Sequence, residues 1–222
     1  MPRLFTIVLL LTFAAASSLA GCQTVRDGYY DAWENYGGYA KRERLVDDVK
    51  DVRQAQVKAK EQFVSALDQF KAVANFDGGN LEKVYNKLNK SLDRSQSRAD
   101  AVDTQITQVK RVANTLFNEW AGEIKELASD PSLQAQSQKL YDQTQASYAE
   151  LVGKMDSAAA KMEPVLTKFR SRVLFLKHNL NAKAIASLKG TEIELSNEID
   201  ALIADMEASI AEADAFIDDM QG

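Results

Sequence analysis

Apolar residues that recur at alternating spacings of four and three constrain this chain's fold more than any other feature. The first run is clear over eight turns and has one polar member, Gln56: Leu45, Val49, Val52, Gln56, Ala59, Phe63, Ala66, Phe70 and Val73. This spacing forms one apolar stripe along a helix, and other helices must cover the stripe. The chain has only 10 Gly and 3 Pro in 222 residues, which favours long helices further. The sequence therefore predicts an all-α protein.

Three short connections divide the repeat into four helices. Residues 75–80 contain two glycines and separate the first helix from a second that runs from Leu81 to about Ala128. A proline-containing turn at 129–132 begins the third helix, which is predicted to reach about Leu188. The last connection is predicted at 189–191, around a glycine, and the last helix carries the repeat to its end.

Short connections make neighbouring helices antiparallel, so the expected architecture is an elongated antiparallel helical bundle or coiled coil of about four long helices. The turns also predict a register. They place Trp120 beside Tyr141 and level with Tyr36. With the last turn at 189–191, the end near residues 76–80 is expected to be four helices thick and the opposite half only three.

The first 21 residues have the layout of a secretory signal, with Arg3, an apolar stretch at 4–16 and then small residues. The apolar stretch is short for a bilayer span, which needs roughly 20 residues. Leu19, Ala20, Gly21 and Cys22 resemble the lipobox of bacterial lipoproteins. The alternative is a plain signal peptide with a chance cysteine. The resemblance implies that Leu19, Ala20 and Gly21 are recognised by the signal peptidase, and that Cys22 is lipidated and becomes the first residue of the mature chain.

The lipobox divides the chain into a lipoprotein signal peptide at 1–21, a lipid-anchored aromatic tether at 22–40 and the helical bundle at 41–222. Gln23 follows the cysteine where, by resemblance to enterobacterial sorting, Asp would retain the protein in the inner membrane. The expected location is the outer membrane, facing the periplasm. Residues 29–39 are rich in Tyr and Trp, which suit either the membrane interface or packing against Phe117, Trp120 and Tyr141.

Composition and motifs predict binding rather than catalysis. The net charge of −5 argues against a nucleic-acid partner. No phosphate-binding glycine loop, metal-ligand spacing or nucleophile motif is present, so we expect no enzyme activity, no metal and no cofactor beyond the covalent lipid. The register places four polar residues at the end of the bundle distant from Cys22, where they form a candidate interaction cluster: Asp77, His178, Asn179 and Asn181.

Several stretches resemble one known family over nearly the whole mature chain. They are Lys41-Arg42 with Leu45-Val46-Asp47, Asn75-Phe76-Asp77-Gly78-Gly79 with Tyr85-Asn86-Lys87-Leu88, Glu163-Pro164-Val165-Leu166, the block from Leu174 to Ala182, and Met206-Glu207-Ala208-Ser209-Ile210. The family is an uncharacterised group of gammaproteobacterial lipoproteins, domain of unknown function 2959. The resemblance implies a helical envelope lipoprotein and carries over no activity.

The expected function is therefore that of a lipid-anchored, non-catalytic spacer or scaffold that binds an unidentified envelope protein. The alternative is a lipid-binding or membrane-surface-associated bundle. This alternative depends on small and polar residues in the middle of the predicted seams: Ser95, Ala99, Ser147 and Ala158. The heptads are compatible both with closing on themselves and with pairing to a second copy of the chain.

Overall fold

The computed structural model describes residues 37–179 and 181–221, except for the side chains of 37–40 and 182. It contains four long helices: α1 (Gly37–Ala74), α2 (Leu81–Glu126), α3 (Pro131–His178) and α4 (Ala182–Gln221). A short 3-10 helix, Leu127–Ser129, joins α2 to α3. The described residues contain no strand, so the predicted all-α fold is confirmed.

Contacts divide the chain into two units, Met1–Gly37 and Gly38–Gly222, and the second contains the bundle. The predicted signal peptide, the lipobox, Cys22 and Tyr36 lie outside the described residues. So does most of the predicted aromatic tether, although its last four residues form the first turn of α1.

The first two connections lie where the sequence predicts them. Between α1 and α2, Gly78 and Gly79 have φ values of +155° and +101°, which residues with a Cβ rarely adopt. Asn80 then caps α2, because its Oδ1 accepts a hydrogen bond from the Lys83 N–H at 2.8 Å. Asp130 caps α3 in the same way, through the N–H groups of Ser132 and Leu133 at 3.1 Å each.

The third connection differs from the prediction. α3 ends at His178 and α4 begins at Ala182, so the predicted turn at 189–191 is wrong and Gly190 lies inside α4. Two asparagines determine the position of the turn. The Asn179 amide donates to the Phe175 carbonyl at 3.0 Å, and Asn181 Oδ1 accepts from the Ala184 N–H at 3.0 Å. Glycine in a helix costs about 1 kcal/mol relative to alanine, which is too little to break a helix that buries apolar residues on both sides of it.

This shift changes the thickness of the bundle. α4 has 40 residues and follows α1 for most of its length. The Asn75 amide donates to Glu192 at 3.3 Å at one end, and Met220 and Gln221 line a surface pocket with Arg42 at the other. The prediction that half of the bundle is only three helices thick is therefore wrong.

Ion pairs hold α4 on both of its sides. Every charged residue after Lys189 is acidic, whereas α1 and α3 present basic side chains to α4. On the α1 side, Lys60 pairs with Glu207 at 3.1 Å and Arg53 pairs with Asp214. On the α3 side the pairs are Lys161 with Asp205, Lys168 with Glu198 and Arg172 with Glu194. Single exposed pairs contribute little, but together they favour one position for α4.

The heptad residues form one continuous core. All nine members of the first predicted stripe are buried, including Gln56. The largest fully buried side chains include one phenylalanine pair across the bundle, Phe70 and Phe169, whose rings meet edge to face at 5.7 Å between centroids. The predicted stripe is therefore the core face of α1.

Candidate functional site

The predicted interaction cluster lies at the end of the bundle where α1 meets α2 and α3 meets α4. Asp77, His178 and Asn181 are exposed, and Asn179 is half-buried. The side chains of Asn179 and Asn181 bond to backbone groups and cap α3 and α4. Within the described residues, the Asp77 and His178 side chains make no hydrogen bond or ion pair, with each other or elsewhere. The structure thus assigns Asn179 and Asn181 to capping, whereas the side chains of Asp77 and His178 are exposed and have no bond within the described residues.

An aromatic cluster lies near the opposite end. Tyr141 packs edge to face against both Phe117 and Trp120, at 5.7 and 5.6 Å between ring centroids. The ring centroid of Tyr148 lies 5.3 Å from that of Phe117 and 6.5 Å from that of Phe216 of α4. Trp120 Nε1 donates to Ser137 Oγ at 3.0 Å. The predicted contact between Trp120 and Tyr141 is confirmed.

A groove of about 880 Å³ runs beside this cluster between α2 and α3. Phe117, Tyr141 and Tyr148 line it together with amide side chains such as Asn114 and Gln145. Burial, and then the charge of Asp156, raises the pKa of the Tyr148 hydroxyl. Sequence interpretation missed this groove, although the seven-residue spacing of the two tyrosines indicated that they share a helix face.

A polar layer interrupts the middle of the core. Gln56 Nε2 donates to Ser209 Oγ at 2.9 Å, and both residues are fully buried. Gln56 Oε1 has no hydrogen-bond partner in the described structure. The neighbouring core positions are occupied by small residues: Ala59, Ser95, Ala99 and Ala158. The sequence identified Gln56 as a polar member of the stripe but missed Ser209, because the misplaced third turn gave α4 the wrong register.

Acidic side chains cluster along the outer seam between α2 and α3. Asp103 remains exposed, but partial desolvation raises its pKa, and the charges of Asp100, Asp156 and Glu163 raise it further. No group of three or more His, Cys, Asp or Glu in the described chain is arranged to hold a metal ion. The Asp103 carboxylate is thus repelled by its acidic neighbours, although Lys110 pairs with Asp156 in the same seam.

We expect Asp103→Asn to raise the melting temperature at pH 7. A raised pKa means that folding disfavours the ionised carboxylate, so the carboxylate lowers stability at neutral pH. This cost decreases as the pH falls through the folded-state pKa, and it is gone below the ordinary value of 3.8, where the carboxyl is protonated in both states. The measurement is thermal unfolding of both proteins at pH 7 and at pH 3. A gain that is equal or larger at pH 3 would contradict this account.

None of the helices in the described part of the chain is long and apolar enough to cross a bilayer. Residues 29–220 match the model of a family described as "Protein of unknown function (DUF2959)". The chain belongs to the DUF2959 family. The match extends from before the start of α1 to the penultimate residue of α4, and it confirms the resemblance to this uncharacterised family. Neither the curated proteins nor the solved structures include a match. The DUF2959 description assigns no activity, so function has to be argued from this chain's own residues.

Proposed function

We propose that this DUF2959 protein is a lipoprotein of the bacterial envelope, anchored through Cys22, whose bundle is a non-catalytic spacer or scaffold for another envelope protein. The observation that carries the proposal is the sequence Leu19, Ala20, Gly21 and Cys22 at the end of an apolar run. Diacylation with further N-acylation gives lasting attachment, because two or more acyl chains bind stably where one does not. The covalent lipid is the only cofactor in this proposal.

The helices support the spacer role. They contain 38 to 48 residues, which corresponds to roughly 57–72 Å at about 1.5 Å per residue. Their apolar stripes are buried against one another, so the bundle presents mostly polar surface to a partner. Exposed Asp77 and His178 provide polar contacts at the end where the two hairpins turn.

Membrane fractionation of Cys22→Ala tests the anchor. We expect the wild-type protein in the outer-membrane fraction and the variant released from it, because the variant has no thiol to acylate. Gln23→Asp is the matched control. It keeps the thiol, so it should remain membrane-bound, and by resemblance to enterobacterial sorting it should move to the inner membrane. A Cys22→Ala protein that stays firmly in the outer membrane would refute the anchor.

In-cell photo-crosslinking tests the scaffold role. A crosslinking residue at position 77 or 178 should give a discrete adduct with one envelope protein. The same residue at Lys139, which is exposed near the start of α3, should not give this adduct. Identical adducts from all three positions would show that the exposed end has no specific partner.

The small and polar residues of the middle layer favour one alternative, a bundle that opens to hold a lipid. Native mass spectrometry of the Cys22→Ala protein separates the two functions, because this variant has no covalent lipid of its own. The spacer predicts the mass of the bare chain. One non-covalent lipid per chain would favour the lipid-binding alternative.

A further inference from the structure

One face of α2 carries a row of basic residues. Lys83, Lys87, Lys90, Arg94 and Arg98 follow one another at spacings of four, three, four and four. Residues three and four apart on a helix are neighbours, so the five side chains form one stripe. The stripe extends over about 22 Å, at about 1.5 Å per residue. All five residues are exposed.

These five side chains are unpaired. In the part of the chain that the structure describes, none of them makes an ion pair or a hydrogen bond. Basic residues that lie along the seams between helices do have partners, such as Lys60 with Glu207 and Lys110 with Asp156. The stripe thus differs from the charged seams that hold the bundle together.

Helix α1 adds a sixth basic residue. Gln62 Nε2 donates to Ser91 Oγ at 2.9 Å, which fixes the edge along which α1 meets α2. Lys58 lies one turn before Gln62 on the same edge, and Arg94 and Arg98 lie three and seven residues after Ser91. Lys58 is exposed and, within the described residues, unpaired. We call the six residues the basic face: Lys58, Lys83, Lys87, Lys90, Arg94 and Arg98.

Most acidic residues of the chain lie on other faces of the bundle, and the two that border the basic face are Glu61, three residues after Lys58, and Asp93, three residues after Lys90. α2 packs against α1 and α3, whereas the acidic helix α4 packs against α3 and α1, so α4 lies diagonally across the bundle from α2. On α2 itself, Asp100 accepts from Gln96, which also bonds to Glu163 of α3. Asp100 therefore lies towards the α3 side. The chain therefore has a locally positive surface although its net charge is −5.

We propose that the basic face binds the anionic phospholipid headgroups of a bilayer. Each Lys or Arg near an anionic membrane contributes about 1 kcal/mol, and clusters of four to eight are typical of such binding. Flexible lysines suit a fluid array of phosphates, because they act as point charges and need no fixed partner geometry. The inference rests on the proposed anchor only in that Cys22 would keep the bundle near a bilayer.

The composition of the face favours a bilayer over a protein partner. Protein interfaces concentrate their binding energy in buried aromatic and apolar anchors. None of the large apolar residues that are exposed in the described chain lies on the basic face. Val64, the one on α1, is four residues from Lys60, which faces α4. Charge without an apolar centre fits adsorption to headgroups.

Lysine labelling of the mature, membrane-purified protein tests the proposal. The protein is reconstituted with vesicles of phosphatidylcholine alone, or of equal parts phosphatidylcholine and phosphatidylglycerol. It is acetylated briefly with an amine-reactive reagent, and the labelled sites are quantified by mass spectrometry. We expect about threefold lower labelling of Lys83, Lys87 and Lys90 on the anionic vesicles, since the amines are held at phosphates. Lys139 and Lys154, which are exposed on α3, should be labelled equally on both.

High salt and charge-reversal variants give two further tests of headgroup binding. Protection should disappear in about 0.5 M NaCl, where the Debye length is about 4 Å. The double variant K87E/K90E should lose the protection of Lys83, and the matched variant K139E/K154E should keep it. Equal labelling on the two vesicles, or the same protection in both variants, would overturn the proposal. So would protection by duplex DNA that equals protection by the anionic vesicles.

The outcome is separable from the anchor. If the wild-type protein fails to associate with phosphatidylcholine vesicles, the proposed lipid anchor is wrong. The basic face is still tested in that case, because anionic vesicles can be added to the same protein. A lower ratio of labelling on the basic face to labelling on α3 then reports headgroup binding directly; the residues compared are Lys83, Lys87 and Lys90 with Lys139 and Lys154.

Discussion

Phe169→Ala is expected to lower the free energy of unfolding by about 3–5 kcal/mol, the usual range for a buried phenylalanine truncated to alanine. Phe169 is fully buried in α3 and meets Phe70 of α1 edge to face. The substitution removes the apolar contact and leaves a cavity between two helices that are far apart in sequence. Chemical denaturation followed by circular dichroism measures the change.

Phe175→Ala is the matched control, because Phe175 lies on the same helix but is 43% exposed. Its loss should cost less than about 1 kcal/mol, since surface substitutions rarely cost more. Equal losses in the two variants would mean that the pairing of α1 with α3 around Phe70 and Phe169 is wrong.

The second large effect concerns the buried polar pair. Ser209→Ala should lower the free energy of unfolding by about 1–3 kcal/mol, because the buried Gln56 amide then loses the hydrogen bond that it donates to Ser209. The double variant Q56L/S209A should recover most of this loss or exceed wild-type stability, since both polar groups are replaced by apolar ones of similar shape. Denaturation of the three proteins under one set of conditions is the measurement.

Ser187→Ala is the comparison for the serine change, because Ser187 lies on the same helix, is exposed and donates only to the Ala184 carbonyl. It should cost less than Ser209→Ala. A double variant that is less stable than Ser209→Ala alone would show that Gln56 and Ser209 do not depend on each other, and that the register of α4 is wrong.

The fold was largely predictable from the sequence, because the heptad stripe of α1 and the turns at 75–80 and 129–132 carry strong local signals. The third turn was not. Gly190 is the apparent helix breaker in the sequence, whereas Asn179 and Asn181 end α3 and begin α4 through side-chain bonds to the backbone. A single glycine costs a helix little when apolar contacts continue on both sides, whereas capping side chains bond to backbone groups three or four residues away and end the helix locally.

The candidate sites were less predictable. The sequence predicts that Asp77 and His178 lie at the same end of the bundle. A shared end does not determine the direction of a side chain, and the described structure shows no bond between the two residues. Their neighbours Asn179 and Asn181 perform a structural role. The basic face was missed because net charge averages over the chain, although the spacing from Lys83 to Arg98 is visible in the sequence.

We propose that lipid on Cys22 holds the bundle at a membrane, and the intact mass of the membrane-purified protein tests this claim most directly. We predict a chain that begins at Cys22 and carries a diacylglyceryl group and an N-linked acyl chain. Peptide mapping should place all of the added mass on that residue. A chain with an unmodified Cys22, or one that begins at another residue, would contradict the claim.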